Sequence, residues 1–201
     1  MGKLFAIEGT DGSGKQTQFT KLCERLKKDG IDFRTVSFPN YESDSSALVK
    51  MYLSGEFGKN AKDVSAYIAS TFYAADRYTT ANMVHQAGKI KDSEERQKFL
   101  DWLLDFEFNL YKLPKPTRTF FLNMPTEYAI ELMKNRENKF THQQSKDIHE
   151  SDSSHLQDSY NAACSLVNKY DWYEVKCVKD GKIRTIEDIH EEIYKEVKKY
   201  I

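Results

Sequence analysis

The residues best suited to chemistry stand near the start of the chain, in Gly9-Thr10-Asp11-Gly12-Ser13-Gly14-Lys15-Gln16-Thr17. Three glycines let a backbone curl until successive N–H groups point inward, which suits the oxygens of a phosphate. Lys15 is spaced to reach the β- and γ-phosphates of a nucleotide. Asp11 is an acid inside that loop or a cap for the helix after it. Gly9-x4-Gly14-Lys15 is the spacing of a phosphate-binding P-loop, with one departure: Gln16 stands where Ser or Thr usually follows the Lys. Thr17 brings a hydroxyl one place late. The candidate Mg2+ ligand is therefore the Gln16 carbonyl or the Thr17 hydroxyl, and Gly9 to Thr17 as a whole is the candidate ATP site.

Such a loop works only between a strand and a helix, whose N-terminus adds unpaired donors and a positive dipole end. Leu4-Phe5-Ala6-Ile7 supplies the strand. Phe19, Leu22, Cys23 and Leu26 recur at helical spacing, Lys27-Lys28 suit a last turn, and Gly30 stops the helix. Ile31 to Phe38 reads as a second strand ended by Pro39, completing a βαβ unit with parallel strands. Phe38-Pro39-Asn40-Tyr41 then lies beyond a strand C-terminus, where open α/β sheets bind ligands.

Helical patterns follow from Ser43 to Leu53, with Leu48, Met51 and Tyr52 inward, and from Val64 to Arg77, with Tyr67, Ile68, Thr71, Phe72 and Ala75. Tyr73 and Phe72 share core spacing, so one of them is read as core. Thr79 to Lys89 is polar and carries Asn82, His85 and Gln86. Ser93 is read as the cap of a long helix facing inward through Phe99, Leu100, Leu103, Phe106 and Leu110, ended by Pro114 and Pro116. Arg118 to Asn123 is a strand, Pro125-Thr126 opens a helix, and Arg136 to Ser154 is a polar stretch with no core pattern, read as mobile. A helix through Leu156, Tyr160, Cys164 and Val167, a strand from Trp172 to Val178 and a Thr185-capped final helix complete the chain.

In 201 residues, 30 basic side chains balance 31 acidic ones. That speaks against a nucleic-acid binder held by bulk charge. No apolar run approaches membrane-spanning length, and Met1-Gly2-Lys3 runs straight into the first strand, so a cytoplasmic protein is expected. Cys23, Cys164 and Cys177 have no paired or metal-like spacing and read as reduced thiols. His85, His142, His149 and His155 lack zinc spacing. Asn168-Lys169-Tyr170-Asp171 copies a guanine-reading pattern, but at a helix end rather than after a strand, and reads as chance.

Glu8 to Lys15, Phe38-Pro39, Tyr73-Ala74-Ala75-Asp76-Arg77-Tyr78, Asn82 and Asp147-Ile148-His149-Glu150 together resemble the thymidylate kinase family, P-loop enzymes that phosphorylate dTMP with ATP and Mg2+. The resemblance runs in order over nearly the whole chain. It implies a three-layer α/β P-loop NTPase fold, a parallel sheet flanked by helices, in a single nucleotide-kinase domain spanning 1–201. It implies that Asp11 holds the sugar 3′-hydroxyl, Phe38 packs on the deoxyribose, Tyr73 stacks on thymine and Arg77 binds the acceptor phosphate or the base edge. Asn82 matches a base-contacting position, and residues 136–154 resemble the lid over ATP. With Gly12 where the family can carry a basic residue, that charge falls to Arg136, Lys139 or Lys146, with Arg136 as the catalytic candidate. The family's helix-mediated dimers imply a homodimer.

The family has two Asp-Arg pairs, with a central strand between them; this chain has one pair, Asp76-Arg77, serving both motifs. The segment between them is therefore expected to be missing, with the sheet lacking or rearranging a central strand. The expected activity is γ-phosphoryl transfer from ATP to dTMP, giving dTDP. The single pair keeps open a relic that binds ATP with little turnover, and His85 with the missing segment keeps open another acceptor nucleotide.

Overall fold

Phe120, Phe121 and Leu122 are fully buried, and the sheet is built around the strand that carries them. The computed structural model describes residues 2–38, 44–60, 63–74, 77–133 and 153–201. Three parallel strands, β1 (Phe5–Glu8), β2 (Arg118–Asn123) and β3 (Tyr173–Lys176), lie in the order β1-β2-β3. Glu8 pairs with Phe121, and Asn123 with Lys176, so the C-terminal ends of the strands share one edge. A short antiparallel pair, β4 (Val178–Lys179) and β5 (Lys182–Ile183), follows β3.

Strand side chains alternate between faces, so β2 feeds two cores. Phe120 and Leu122 pack with Leu22 and Leu26 of α1 (Lys15–Lys28) and with Ile189, Ile193 and Val197 of the final helix. Phe121 points the other way, into Met83, Val84 and Ala87 of α4 (Thr79–Ala87), Phe99 and Leu103 of α5 (Ser93–Leu104), and Leu166 of α7 (Ser153–Lys169). Helices on both faces of a parallel sheet make the three-layer α/β arrangement expected of a P-loop protein. A satellite core of Val49, Tyr52, Leu53, Val64, Ala69 and Tyr73 joins α2 (Ala47–Leu53) to α3 (Ala66–Ala74).

Ile31 to Phe38 forms no strand. Asp32 to Phe38 are exposed throughout, with Val36 68% accessible. The expected βαβ unit is therefore not made, and the parallel partner of β1 is β2. Among the described residues β1 pairs with nothing else, and Phe5, Ala6 and Ile7 are only half-buried, as in an edge strand. The apolar pattern of a strand sits in 31–38, but a strand exists only when a neighbour takes its backbone hydrogen bonds. Among the described residues neither 31–38 nor the second edge of β1 has such a neighbour.

Two local expectations also change. On α3 the inward face is Ala66, Ala69, Ser70 and Tyr73, while Tyr67 and Ile68 are exposed, so small residues face the neighbouring helix. The cap of α5 is Asp92, whose carboxylate accepts from the N–H groups of Glu94 and Glu95 at 3.0 and 2.8 Å; Ser93 is the first helical residue. The final helix, α8 (Ile186–Val197), starts as expected on Thr185, whose hydroxyl accepts from the Asp188 N–H at 3.1 Å.

Candidate active site

The phosphate loop leaves the C-terminal end of β1 and enters α1. Gly12 and Gly14 hold φ of 81° and 88°, in the left-handed region that side chains disfavour. Gly12 is also crowded: a Cβ there would lie 2.5 Å from the carbonyl oxygen of Ala129 and 2.9 Å from Met133, both on α6 (Thr126–Met133). The loop thus passes directly beneath α6, and position 12 has no room for the basic side chain that the family can place there. Gly12→Ala is expected to cost about 2–4 kcal/mol and to lower Tm by roughly 5–10 °C, read by thermal melting.

Lys15 is folded back onto its own loop. Its ammonium donates to the carbonyl oxygens of Gly9 at 2.6 Å and Thr10 at 3.0 Å and lies 3.8 Å from the Asp11 carboxylate. Gln16 and Thr17 are exposed on the first turn of α1, and Gln16 Nε2 donates to Thr20 at 3.4 Å. Their oxygens can supply the one or two protein ligands that Mg2+ takes when it also binds nucleotide phosphates. The donor set therefore fits that ion without a preformed cage, and among the described residues no cluster of three His, Cys, Asp or Glu side chains could make one.

Opposite the loop stands Arg77, between α3 and α4. Its guanidinium lies 4.5 Å over the ring of Tyr73, which is itself buried and set edge-on to Tyr52 at 5.9 Å. Tyr73 is therefore both part of the satellite core and the platform on which Arg77 rests. Arg77 shares its surroundings with the loop. Burial pushes the Glu8 carboxyl above the usual carboxylate range, while a hydrogen bond from Thr80 at 2.5 Å and the charges of Lys15 and Arg77 pull it down. Burial holds His85 neutral, well below its ordinary value, with Arg77, Lys15 and His155 adding to the drop and Asp11 opposing it. Glu8, Asp11, Lys15, Arg77, Thr80 and His85 thus form one electrostatic cluster at the end of β1.

Helix α4, polar in sequence, is almost wholly buried. Asn82 is fully buried; its Nδ2 donates to Glu107 Oε1 at 2.9 Å, and its Oδ1 has no partner among the described residues. One turn on, Gln86 is also fully buried, with neither amide atom paired among the described residues. Ser70 of α3 keeps a buried hydroxyl, likewise without a partner among the described residues. Unpaired buried polar atoms cost free energy unless a ligand supplies the missing bond.

The structure therefore brings together Asp11, Lys15, Arg77 and its platform Tyr73, with Asn82 on the helix that follows. Phe38 stands apart from them in its surroundings: it is 49% exposed at the end of the strandless stretch. Arg136, Lys139, Lys146 and the lid up to residue 152 lie outside the described residues, and α7 already begins at Ser153. Thr80 and Glu107 were not singled out from sequence, and Glu8 and Gln86 were named without a role of their own. A signal existed for Glu107: it is a lone acid in the apolar run Phe106-Glu107-Phe108.

Residues 7–98 match the family model described as thymidylate kinase. The chain is 25% identical to the thymidylate kinase of Plasmodium falciparum over 98% of this chain and 90% of that one. That alignment spans 215 positions, more than the 201 residues here, so it opens gaps on this chain's side. Identity to the Mycobacterium tuberculosis thymidylate kinase is 29% over 66% of this chain and 71% of the relative. Among solved structures, a deoxyadenosine kinase from M. mycoides with bound dATP superposes with a TM-score of 0.56 at 15% identity, over 96% and 98% of the two chains, a likeness of fold alone.

Proposed function

We propose, from its similarity to thymidylate kinases, that this chain transfers the γ-phosphoryl of ATP to dTMP, giving dTDP. A kinase-type role on nucleotides follows from the family; the acceptor is our reading. The observation that carries it is that the donor loop and a Tyr73-backed arginine lie within electrostatic reach of the same two buried groups, Glu8 and His85. Lys15 of the donor loop and Arg77 before α4 both act on Glu8 and His85. Phosphoryl transfer asks for positioning and charge neutralisation rather than covalent catalysis, and this cluster offers both.

In this reading Lys15 leaves the carbonyl oxygens of Gly9 and Thr10 to meet the β- and γ-phosphates of ATP. The positive-φ glycines turn loop N–H groups toward the same oxygens. Arg77 grips the acceptor phosphate with its planar fork, steadied by the Tyr73 ring beneath it. Asp11 holds the sugar hydroxyl, and Asn82 and Gln86 meet the base edge. Gln16 or Thr17 would hold Mg2+, which would supply charge neutralisation at the transferring phosphates. Residues 136–154 close over ATP and bring a basic side chain, Arg136 first among Arg136, Lys139 and Lys146. The whole of 1–201 acts as one kinase domain in a cytoplasmic homodimer, with small nucleotides rather than nucleic acid or membrane as its partners.

A second reading rests on a specific observation. Among the described residues β1 pairs only with β2, and the chain has one Asp-Arg pair where the family uses two. This favours a relic that binds ATP and turns over little. ADP release, coupled to a spectrophotometric readout, with ATP and a panel of monophosphates decides between them. dTMP-dependent release supports the kinase, ATP binding without release supports the relic, and release with another acceptor replaces dTMP in the proposal.

A further inference from the structure

Glu107 sits in a six-residue π-helical stretch, Asp105–Leu110, that continues α5. The wider turn carries an acidic side chain into the interior, where Glu107 is fully buried. Such wide turns are rare and frequent at functional sites. Both carboxylate oxygens are used, and both bonds come from α4: Thr79 Oγ1 donates to Oε2 at 2.6 Å and Asn82 Nδ2 to Oε1 at 2.9 Å. An ionised carboxylate can only accept, so it can hold only the nitrogen side of an Asn amide. Thr79 fixes the carboxylate, the carboxylate fixes the amide, and the Asn82 carbonyl oxygen is left as a buried acceptor with no partner among the described residues.

We infer that Glu107 is a positioning residue for base selection: through Asn82 it presents a fixed acceptor, selecting bases whose ring edge carries an N–H donor. This rests on the proposed acceptor site on α4. Thymine and uracil bring an N3–H, and guanine an N1–H. Cytosine N3 and adenine N1 are acceptors and would face Asn82 Oδ1 lone pair to lone pair, leaving both unsatisfied. Burial raises the Glu107 carboxyl, while its bonds from Thr79 and Asn82 favour the ionised form that the arrangement needs.

The test is Glu107→Gln, whose amide can donate to the Asn82 carbonyl and let that amide turn over. The readout is the ratio of kcat/KM for dTMP over dCMP. The inference expects it to fall by at least about tenfold, the equivalent of one mispaired buried hydrogen bond. A ratio unchanged within about twofold would overturn it, because a merely structural Glu107 would lower both acceptors together. Thr79→Val keeps the carboxylate and removes one of its anchors; if Glu107→Gln does not fold, it supplies the same comparison, with a smaller fall in the ratio expected and no fall contradicting the inference. If the wild-type protein turns over no monophosphate, the proposed function fails, and the Asn82 side-chain amide resonances decide the inference by themselves. Slow amide-proton exchange that becomes fast in the variant supports it, and identical exchange in both proteins overturns it.

Discussion

Lys15→Ala is expected to lower kcat by about 10²–10³-fold, the usual loss when one preorganised donor to a developing charge is removed. The structure separates this effect from damage to the fold. The Lys15 ammonium bonds its own loop, at Gly9 and Thr10, with Asp11 nearby, and the side chain is partly exposed. Alanine is the strongest helix former, and Lys15 opens α1, so helix propensity does not suffer. The left-handed Gly14 before it keeps the loop's shape. Tm is expected to stay within a few degrees while steady-state turnover collapses. Equal losses of stability and turnover would assign Lys15 to loop structure instead.

Arg77→Ala is expected to lower kcat/KM for the acceptor by about 10²–10⁴-fold, because a bidentate grip comprises two charge-assisted bonds of roughly 1.5–3 kcal/mol each. ATP binding, measured by titration calorimetry, is expected to hold. That contrast separates the acceptor residue from the donor residue, Lys15. Arg77→Lys should recover little, since an ammonium lacks both the planar fork and the stacking on Tyr73. The charge also has a spectroscopic mark. Arg77 helps depress the His85 pKa, so its removal is expected to move the His85 titration upward in NMR. Acceptor kinetics unchanged in Arg77→Ala would make the arginine a surface partner of Tyr73 and nothing more.

What could be read from the sequence follows the range of the physics involved. The P-loop was legible because glycine, lysine and their spacing act within nine residues, and the structure places them between β1 and α1. Strand β2 falls on the residues expected, since Phe120-Phe121-Leu122 is buried on both faces and reads as a continuous apolar run. Residues 31–38 have a comparable pattern and form no strand, because pairing depends on a neighbour from elsewhere in the chain. The inward face of α3 was hidden by its large residues: Tyr67 and Ile68 suggested the core, while Ala66, Ala69 and Ser70 take it.

Helix α4 is the instructive case for the site. Asn82, His85 and Gln86 stand in a stretch that is polar in sequence, and all three are buried. Side chains that face a binding site break the rule that polarity means solvent, and their partners come from other elements. Glu107, 25 residues away from Asn82, holds it by a bond that no local spacing encodes.

The claim that joins these observations is that the phosphate loop and the single Asp-Arg pair, with a basic residue from 136–154, suffice for transfer to dTMP, although among the described residues β1 pairs only with β2. It is tested most directly by incubating the purified chain with γ-³²P-labelled ATP, Mg2+ and dTMP and separating the products. The account predicts label in dTDP at every turnover, with about 10²–10⁴-fold less formed by Arg77→Ala at the same subsaturating acceptor concentration. Label retained in ATP or released as inorganic phosphate, with no labelled dTDP, would contradict it.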